Sequence, residues 1–126
     1  MIIKAWSYGQ VVDKPDEELN RIEENTEYIV DGLPWVDWPA LSYKYDRIMT
    51  DYISADEIDN MENNCKEIAI RYHLPFNHKP FIAGTNVNHL DFNRWEQTVA
   101  AMVWLVERGD QNECCGTFNC GQGGLI

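Results

Sequence analysis

The residues with the clearest capacity for chemistry are the four cysteines of the chain. Cys114, Cys115 and Cys120 form a Cys-Cys-x4-Cys cluster, while Cys65 stands apart from them. Structural zinc needs four ligands in a tetrahedron, usually from Cys-x2–4-Cys pairs, and adjacent cysteines make poor chelates. These three cysteines are therefore weak metal candidates, and we expect no metal and no other cofactor. A disulfide formed in an oxidising medium and unreactive thiols stay open as alternatives.

Catalytic groups are the second kind of chemistry to consider. A cysteine nucleophile needs a nearby base, and His73 and His78, which flank a proline in a predicted loop, give a Cys–His site no further support. Glu23, Glu62 and Glu96 could serve as acid–base carboxylates. Each of them, however, occupies the same place in a repeated segment, and a repeated position favours an architectural role. We expect the protein not to be an enzyme.

The repeated segments cover residues 19–29, 58–68 and 92–102. Each copy begins with five positions in the same order: an apolar residue, Asn or Asp, any residue, a second apolar residue, and Glu. Copies spaced by 39 and 34 residues lie in the range of repeated supersecondary units. The residues at i, i+3, i+7 and i+10 are apolar in each copy except at Thr26 of the first, which predicts one buried stripe on each of three amphipathic helices. The predicted repeat core consists of Leu19, Ile22, Ile29, Ile58, Met61, Ile68, Phe92, Trp95 and Met102.

Capping signals place these helices at about 15–33, 55–73 and 90–108. Ser54 and Glu57 form a capping box, Pro15 suits a first helical turn, and Gly32 and Gly109 mark helix ends. The sequence therefore predicts a mainly α fold.

Outside the helices, the predicted connectors are rich in aromatic residues and proline. Residues 1–12 form an N-terminal arm or strand, residues 13–109 a three-helix repeat domain, and residues 110–126 a Gly/Cys-rich extended segment. Residues 41–45 alternate in polarity and could form a short strand.

A polar residue is repeated at Asn20, Asp59 and Asn93. One interpretation is that each side chain bonds backbone groups of an adjoining connector. The other is a polar network that joins the three helices or neighbouring subunits.

Charge narrows the classes of partner. The chain has 10 Lys and Arg against 21 Asp and Glu, a net charge of −11. This argues against nucleic acid, which needs a basic face, and against an anionic membrane surface. Most of the acidic excess lies in residues 1–63, which predicts either a solvated helix face or a surface for a basic partner. The longest apolar run, residues 99–106, is too short to span a bilayer, and the first residues lack a signal-peptide core.

The aromatic connectors and both end segments supply candidate interface residues. Three tryptophans and three apolar residues of the last segment are predicted to remain available for neighbouring molecules, because three helix stripes already enclose a small core. These residues are Trp6, Trp35, Trp38, Phe118, Leu125 and Ile126.

Residues 16–29, which contain Leu-Asn-Arg-Ile-Glu, resemble the "LNRIE" helix of tail-fibre and other virion structural proteins of phages infecting Firmicutes. The Trp-Val-Asp-Trp-Pro connector at 35–39, the copy at 91–96 and the glycine-rich residues 115–121 are similar to parts of such proteins. The resemblance implies a virion component without catalytic residues, made in the host cytoplasm. Residues 1–126 depart from such proteins in having no recognisable long fibre, collagen-like stretch or receptor-binding domain after the predicted helices, so we expect an adaptor, connector or decoration role.

The expected function is therefore a structural role in the tail, baseplate, neck or fibre of a virion. Its expected partners are other virion proteins and copies of itself, in a homo-oligomer. Two alternatives stay open: a small zinc- or thiol-dependent protein that uses the last cysteines, and a cytosolic acidic adaptor that binds a host protein.

Overall fold

A computed structural model describes residues 1–112 of the chain, and within them three helices form the framework. The helices are α1 (Pro15–Asp31), α2 (Ala55–Arg71) and α3 (His89–Asn112). The predicted mainly α fold is confirmed. Residues 1–12 and 41–45, which could have been strands, have no strand structure. Residues 113–126, which include most of the predicted Gly/Cys-rich segment, lie outside the described residues.

The helix ends follow the local sequence, with one exception. Pro15 begins α1, and Ser54 caps α2 through the predicted box, in which its Oγ accepts from the Glu57 N–H at 3.3 Å. The prediction that α3 ends at Gly109 is wrong, because the helix continues to Asn112. A single glycine costs a helix only about 1 kcal/mol, which is not enough to end it.

The three helices run parallel to one another. One buried cluster collects side chains from the N-terminal half of every helix, and a second cluster collects side chains from every C-terminal half. All three pairs of helices are in contact. The nine predicted repeat-core residues are buried, in the first cluster Leu19, Ile22, Ile58, Met61, Phe92 and Trp95, and in the second Ile29, Ile68 and Met102.

Parallel helices need connectors that carry the chain back to the starting end. A helix of 17 residues is about 25 Å long, and about eight extended residues cover that distance. The connectors, residues 32–54 and 72–88, are therefore long enough to run back along the bundle and then turn into the next helix.

A tight turn precedes each helix in the same way. The turns cover residues 7–10, 48–51 and 82–85, and each closes with a backbone hydrogen bond of 3.0 Å between its last and first residues. In each turn the first N–H also donates to the side chain of the fourth residue. Gly9 and Gly84 hold the third position with positive φ angles of 78° and 90°, a conformation that favours glycine. The chain thus contains three copies of one unit, each an extended segment, a turn and a helix.

Candidate functional site

The repeated polar residues bind the backbone of the extended segments. Asn93 accepts from the Trp6 N–H at 2.7 Å and donates to the Trp6 carbonyl at 2.8 Å. Asn20 makes the same two bonds with Arg47, at 3.2 and 3.0 Å. Asp59 accepts from the N–H of Phe81 at 3.0 Å. The interpretation that these side chains bond the backbone of an adjoining connector is confirmed for Asn20 and Asp59, whereas Asn93 bonds the N-terminal arm instead.

The repeated glutamates, one helical turn later, complete these contacts. Glu96 accepts from the Lys4 N–H at 3.1 Å, and Glu62 accepts from the Lys79 N–H at 2.8 Å. Glu23, Glu62 and Glu96 are all buried. A buried carboxylate is stable only when it is paired and hydrogen-bonded, so each of these residues fixes a segment to a helix.

Each set of contacts is called a clamp here and is named after the helix that carries the Asn or Asp and the Glu. The α1 clamp holds residues 44–47, the α2 clamp holds residues 79–81, and the α3 clamp holds residues 4–6. Each segment thus binds the helix of the preceding unit, and the segment of the first unit binds the helix of the last. The three units form a closed ring with approximate threefold symmetry.

Trp6 is part of the α3 clamp, not of an outer surface. Its side chain is 8% exposed, its ring lies 5.0 Å from that of Phe92, and its indole Nε1 donates to Glu96 at 3.0 Å. The prediction that Trp6 is an interface residue is therefore wrong, because the arm that carries it fills the groove beside α3. Trp35 is exposed, and Trp38 packs partly against the core and donates to the Leu33 carbonyl.

An arginine from a neighbouring helix completes two of the clamps. Arg21 of α1 donates to Glu96 of the α3 clamp at 2.9 Å, and Arg94 of α3 donates to Glu62 of the α2 clamp at 2.5 Å. The corresponding residue of α2 is Asn60.

The α1 clamp uses a different arginine. The buried side chain of Arg47, from the segment itself, donates to Glu23 Oε2 at 2.7 Å. Within residues 1–112, Glu23 Oε1 and the Tyr43 hydroxyl are buried without a hydrogen-bond partner. Burial raises the pKa of Glu23, against the lowering effects of the Arg47 hydrogen bond and charge and of the Lys44 backbone N–H, which approaches the same carboxylate. Both residues line a cavity of about 260 Å³, together with Ser42, Lys44, Arg47, Asp56, Glu57 and Asn60.

A larger cavity of about 420 Å³ opens at the end of the bundle where the helices begin. All three units line it, α1 through Leu19, α2 through Ile58 and α3 through Phe92. Its walls are largely apolar, and Tyr52 is the one ionisable side chain among the lining residues. This cavity can bind apolar groups but holds no acid–base pair.

Cys65 and His78, which were weighed as catalytic residues, have structural surroundings. Cys65 is fully buried 4.0 Å from the Thr26 hydroxyl, and burial raises the pKa of its thiol to about 12. His78 lies with Nδ1 3.1 Å from Glu62 Oε2, at the edge of the α2 clamp. No hydrogen bond joins Cys65 to a histidine in the described part of the chain.

The remaining predicted residues concern metal and interface sites near the C-terminal end. Cys114, Cys115, Cys120, Phe118, Leu125 and Ile126 lie outside the described residues. Among residues that the structure does describe, no group of three or more His, Cys, Asp or Glu side chains is placed to hold a metal ion. No helix in that part of the chain is long and apolar enough to cross a membrane.

Sequence reasoning missed the segments that the clamps hold. The motif Lys-x-aromatic, which stands at 4–6 and again at 79–81, was the available signal. Arg47 carried no comparable signal, because its segment has a different spacing.

Comparison of the chain with protein-family models, with curated proteins and with solved structures finds no match.

Proposed function

We propose that this protein is a non-enzymatic structural component of a phage virion that acts by protein–protein assembly. The observation that carries the proposal is that the buried polar residues bind within the chain, whereas apolar residues are exposed at the turns. The clamps use the repeated carboxylates and arginines to hold one chain together. The turns that precede the helices leave apolar side chains uncovered.

The exposed side chains lie on the three turns and on the residues that follow them, here called the turn end. Tyr8 is 90% exposed, Met49 82% and Ile82 72%, and Tyr52 and Val11 are similarly exposed. Contiguous exposed apolar surface commonly marks a site of protein–protein contact. The approximate threefold arrangement suits a partner, or a ring of copies, that shares a symmetry axis with the bundle.

The resemblance of residues 16–29 and 91–96 to virion structural proteins supports the class of assembly. The partners are then other virion proteins and copies of this chain, in the tail, baseplate, neck or fibre. Catalysis has no support in the described residues, because the clamp carboxylates are bound to backbone and to arginines.

The proposal is tested by the protein composition of purified phage particles. We expect the chain at a fixed number of copies per particle, detected by quantitative mass spectrometry. Particles that lack the chain, or a purified chain that turns over a small molecule, would contradict the proposal.

A variant of the turn end tests how the chain assembles. We expect Tyr8→Ser, Met49→Ser and Ile82→Ser together to abolish incorporation into particles while the circular dichroism spectrum stays helical. The matched control carries Ile70→Ser and Trp104→Ser, which remove exposed apolar side chains from α2 and α3 away from the turns. Equal incorporation of both variants would exclude the turn end as the contact surface.

A further inference from the structure

The α3 clamp differs from the other two clamps in how the chain joins its parts. Residues 44–47 lie on the connector that directly follows α1, and residues 79–81 lie on the connector that directly follows α2. Each of these segments therefore binds the helix that it has just left. Residues 4–6 bind α3 instead, and 87 residues separate Trp6 from Asn93. Of the three clamps, the α3 clamp is thus the one that joins distant parts of the chain.

Residues 1–6, called the clamped arm here, contact both α1 and α3. The Ile2 carbonyl accepts from Arg21 at 2.9 Å, and Lys4 Nζ donates to Glu18 at 2.7 Å. The hydrogen bonds with α3 are those of the clamp itself. None of these bonds uses an atom of the residues that connect the arm to α1. The arm of a second copy of the chain would therefore make the same set of contacts.

The connection between the clamped arm and α1, residues 7–14, contributes little to the fold. Residues 7–11 are exposed, and their turn is closed by the Gln10 N–H, which donates to the Ser7 carbonyl at 3.0 Å, and by the Ser7 N–H, which donates to the Gln10 side chain at 2.9 Å. Val12 packs partly against the first core cluster. Opening of the turn loses these contacts and gives an extended linker of about 26 Å.

The groove beside α3 selects the segment that it accepts. Phe92 packs against an indole ring at 5.0 Å, and Glu96 accepts from an indole N–H at 3.0 Å. The motif Lys-x-aromatic stands at 4–6 and at 79–81, but the second copy of the motif ends in Phe81, which has no side-chain N–H for Glu96. The clamped arm is therefore the segment of this chain that fits the groove, whichever copy supplies it.

We propose that copies of this chain exchange their clamped arms, so that residues 1–6 of one copy fill the groove beside α3 of another. The exchange keeps every contact of the α3 clamp and changes the turn at residues 7–10. Such an exchange of identical elements links two copies reciprocally at low cost. That the linked copies belong to a virion rests on the proposed function, whereas the exchange itself does not.

Closure within one chain competes with this exchange. A segment on a short linker has an effective concentration on the order of 1 mM at its own site. Single chains should therefore close their own rings in dilute solution. Exchange should become comparable at about 1 mM, or wherever an assembly holds copies side by side. Protein concentration is thus the variable that separates the two states.

Isotope mixing tests the exchange in the unmodified full chain. Equal amounts of unlabelled and ¹⁵N-labelled chain are unfolded in urea with a reductant, mixed, and refolded at about 2 mM. A zero-length carbodiimide then joins Lys4 to Glu18, the partly exposed ion pair between the clamped arm and α1. We expect roughly a quarter of these cross-links to join labelled to unlabelled chain, because roughly half of the chains exchange and half of those meet the other label.

The internal control is the pair of Lys14 and Glu17, which lie 3.8 Å apart beyond the turn and on the same chain in both states. Its cross-links should join like to like at every concentration. At about 10 μM, nearly all cross-links between Lys4 and Glu18 should also join like to like. At about 2 mM, mixed cross-links no more frequent for Lys4 and Glu18 than for the control pair would overturn the proposal.

A variant of the turn gives an independent test. Gly9 has a φ angle of 78°, and no atom lies within 4 Å of a Cβ built there, so a side chain strains the closed turn without meeting a neighbour. Valine is disfavoured at this φ but suits an extended linker. Because each exchanged pair opens two turns, we expect Gly9→Val to lower the dimer Kd by about 30-fold or more, measured by sedimentation equilibrium.

The matched control is Gly84→Val, at the same position of the turn before α3. Gly84 has a φ angle of 90° and equally open surroundings, but residues 79–81 bind the helix that they follow. This variant should lose stability without gaining dimer, and equal dimer fractions in the two variants would contradict the proposal. Exchange by a chain that is absent from particles would support the exchange and contradict the proposed function. A chain that is present in particles but never forms mixed cross-links would do the reverse.

Discussion

Trp6 and Glu96 are joined by a hydrogen bond of 3.0 Å from the indole Nε1 to a carboxylate oxygen, although 90 residues separate them in the sequence. The same carboxylate accepts from the Lys4 backbone and from Arg21. The first extended segment therefore holds the beginning of the chain to its last helix. This contact closes the ring of three units.

The amide of Asn93 should be more sensitive to substitution than the carboxylate of Asp59. Asn93→Asp keeps the acceptor for the Trp6 N–H but loses the donor to the Trp6 carbonyl, and we expect it to cost about 1–3 kcal/mol of unfolding free energy. Asp59→Asn keeps the acceptor that Phe81 needs and should cost less than about 1 kcal/mol. Urea unfolding followed by circular dichroism measures both. Equal losses would show that the two polar positions are not used as the hydrogen bonds indicate.

Glu62 should be the most sensitive carboxylate of the described chain. Its two oxygens accept from Arg94, from the Trp95 indole and from the Lys79 N–H, and the side chain is fully buried. Breaking a buried ion pair typically costs about 3–5 kcal/mol, and we expect a loss of this size from Glu62→Gln in the same unfolding experiment.

The matched control for Glu62 is Glu67→Gln on the same helix. Glu67 pairs with Arg71 one turn away, at a partly exposed site, and such pairs contribute only about 0.3–0.5 kcal/mol. Comparable losses from the two variants would mean that the clamp contributes nothing beyond an ordinary surface pair.

The sequence predicts the helices, the buried stripe and the role of the repeated Asn and Asp residues, because these depend on neighbours within a few turns. The 3.6-residue period marks Ile22 and Trp95 as core residues, and the capping box places Ser54. The sequence does not predict which extended segment each repeated polar residue binds. The contact between Asn93 and Trp6 spans 87 residues, and no local periodicity encodes such a partner.

The same limit explains the error at Trp6 and the omission of Arg47. Trp6 is predicted to be exposed because the three helix stripes already enclose a core, and the groove beside α3 that receives its side chain is known only from the folded chain. Arg47 binds Glu23 in place of an arginine at position 60. This contact depends on where residues 44–47 lie relative to Glu23, which only the folded chain shows.

Glu18 should make the protein lose stability in acid. Burial raises the pKa of Glu18, but hydrogen bonds and charges from Lys4 and Arg21 outweigh it and hold the pKa below its ordinary value of 4.5. The unfolded chain therefore binds the proton more tightly, and the stabilisation present above pH 4.5 is lost as the pH falls through the pKa of the folded state. We expect Glu18→Gln to lose less stability than the wild type between pH 5 and pH 3, measured by urea unfolding at each pH.

The control for this pH dependence is Glu17→Gln, at the exposed neighbouring carboxylate. Its stability should follow the wild-type pH profile. If Glu17→Gln and Glu18→Gln flattened the acid side of the profile equally, the contacts of Lys4 and Arg21 with Glu18 would not be responsible.

Gly32 should not tolerate even the methyl side chain of alanine, because the space beside it is already filled. Its φ angle of −75° is accessible to any residue, but a Cβ there would lie 2.2 Å from Val106 Cγ1, where α1 ends against α3. Val106 is buried and cannot move freely, so we expect Gly32→Ala to cost about 1–3 kcal/mol by overpacking.

A double-mutant cycle separates this contact from any effect on the α1 end. Val106→Ala removes the methyl group that meets the new Cβ, so the cost of Gly32→Ala should shrink in that background by about 0.5–3 kcal/mol. Gly9→Ala should also be destabilising, because its φ of 78° disfavours a side chain. No atom approaches a Cβ at position 9 within 4 Å, so its cost should add to that of Val106→Ala within about 0.5 kcal/mol. Additivity at Gly32 as well would mean that α1 and α3 do not meet there, and the parallel arrangement of the helices would have to be abandoned.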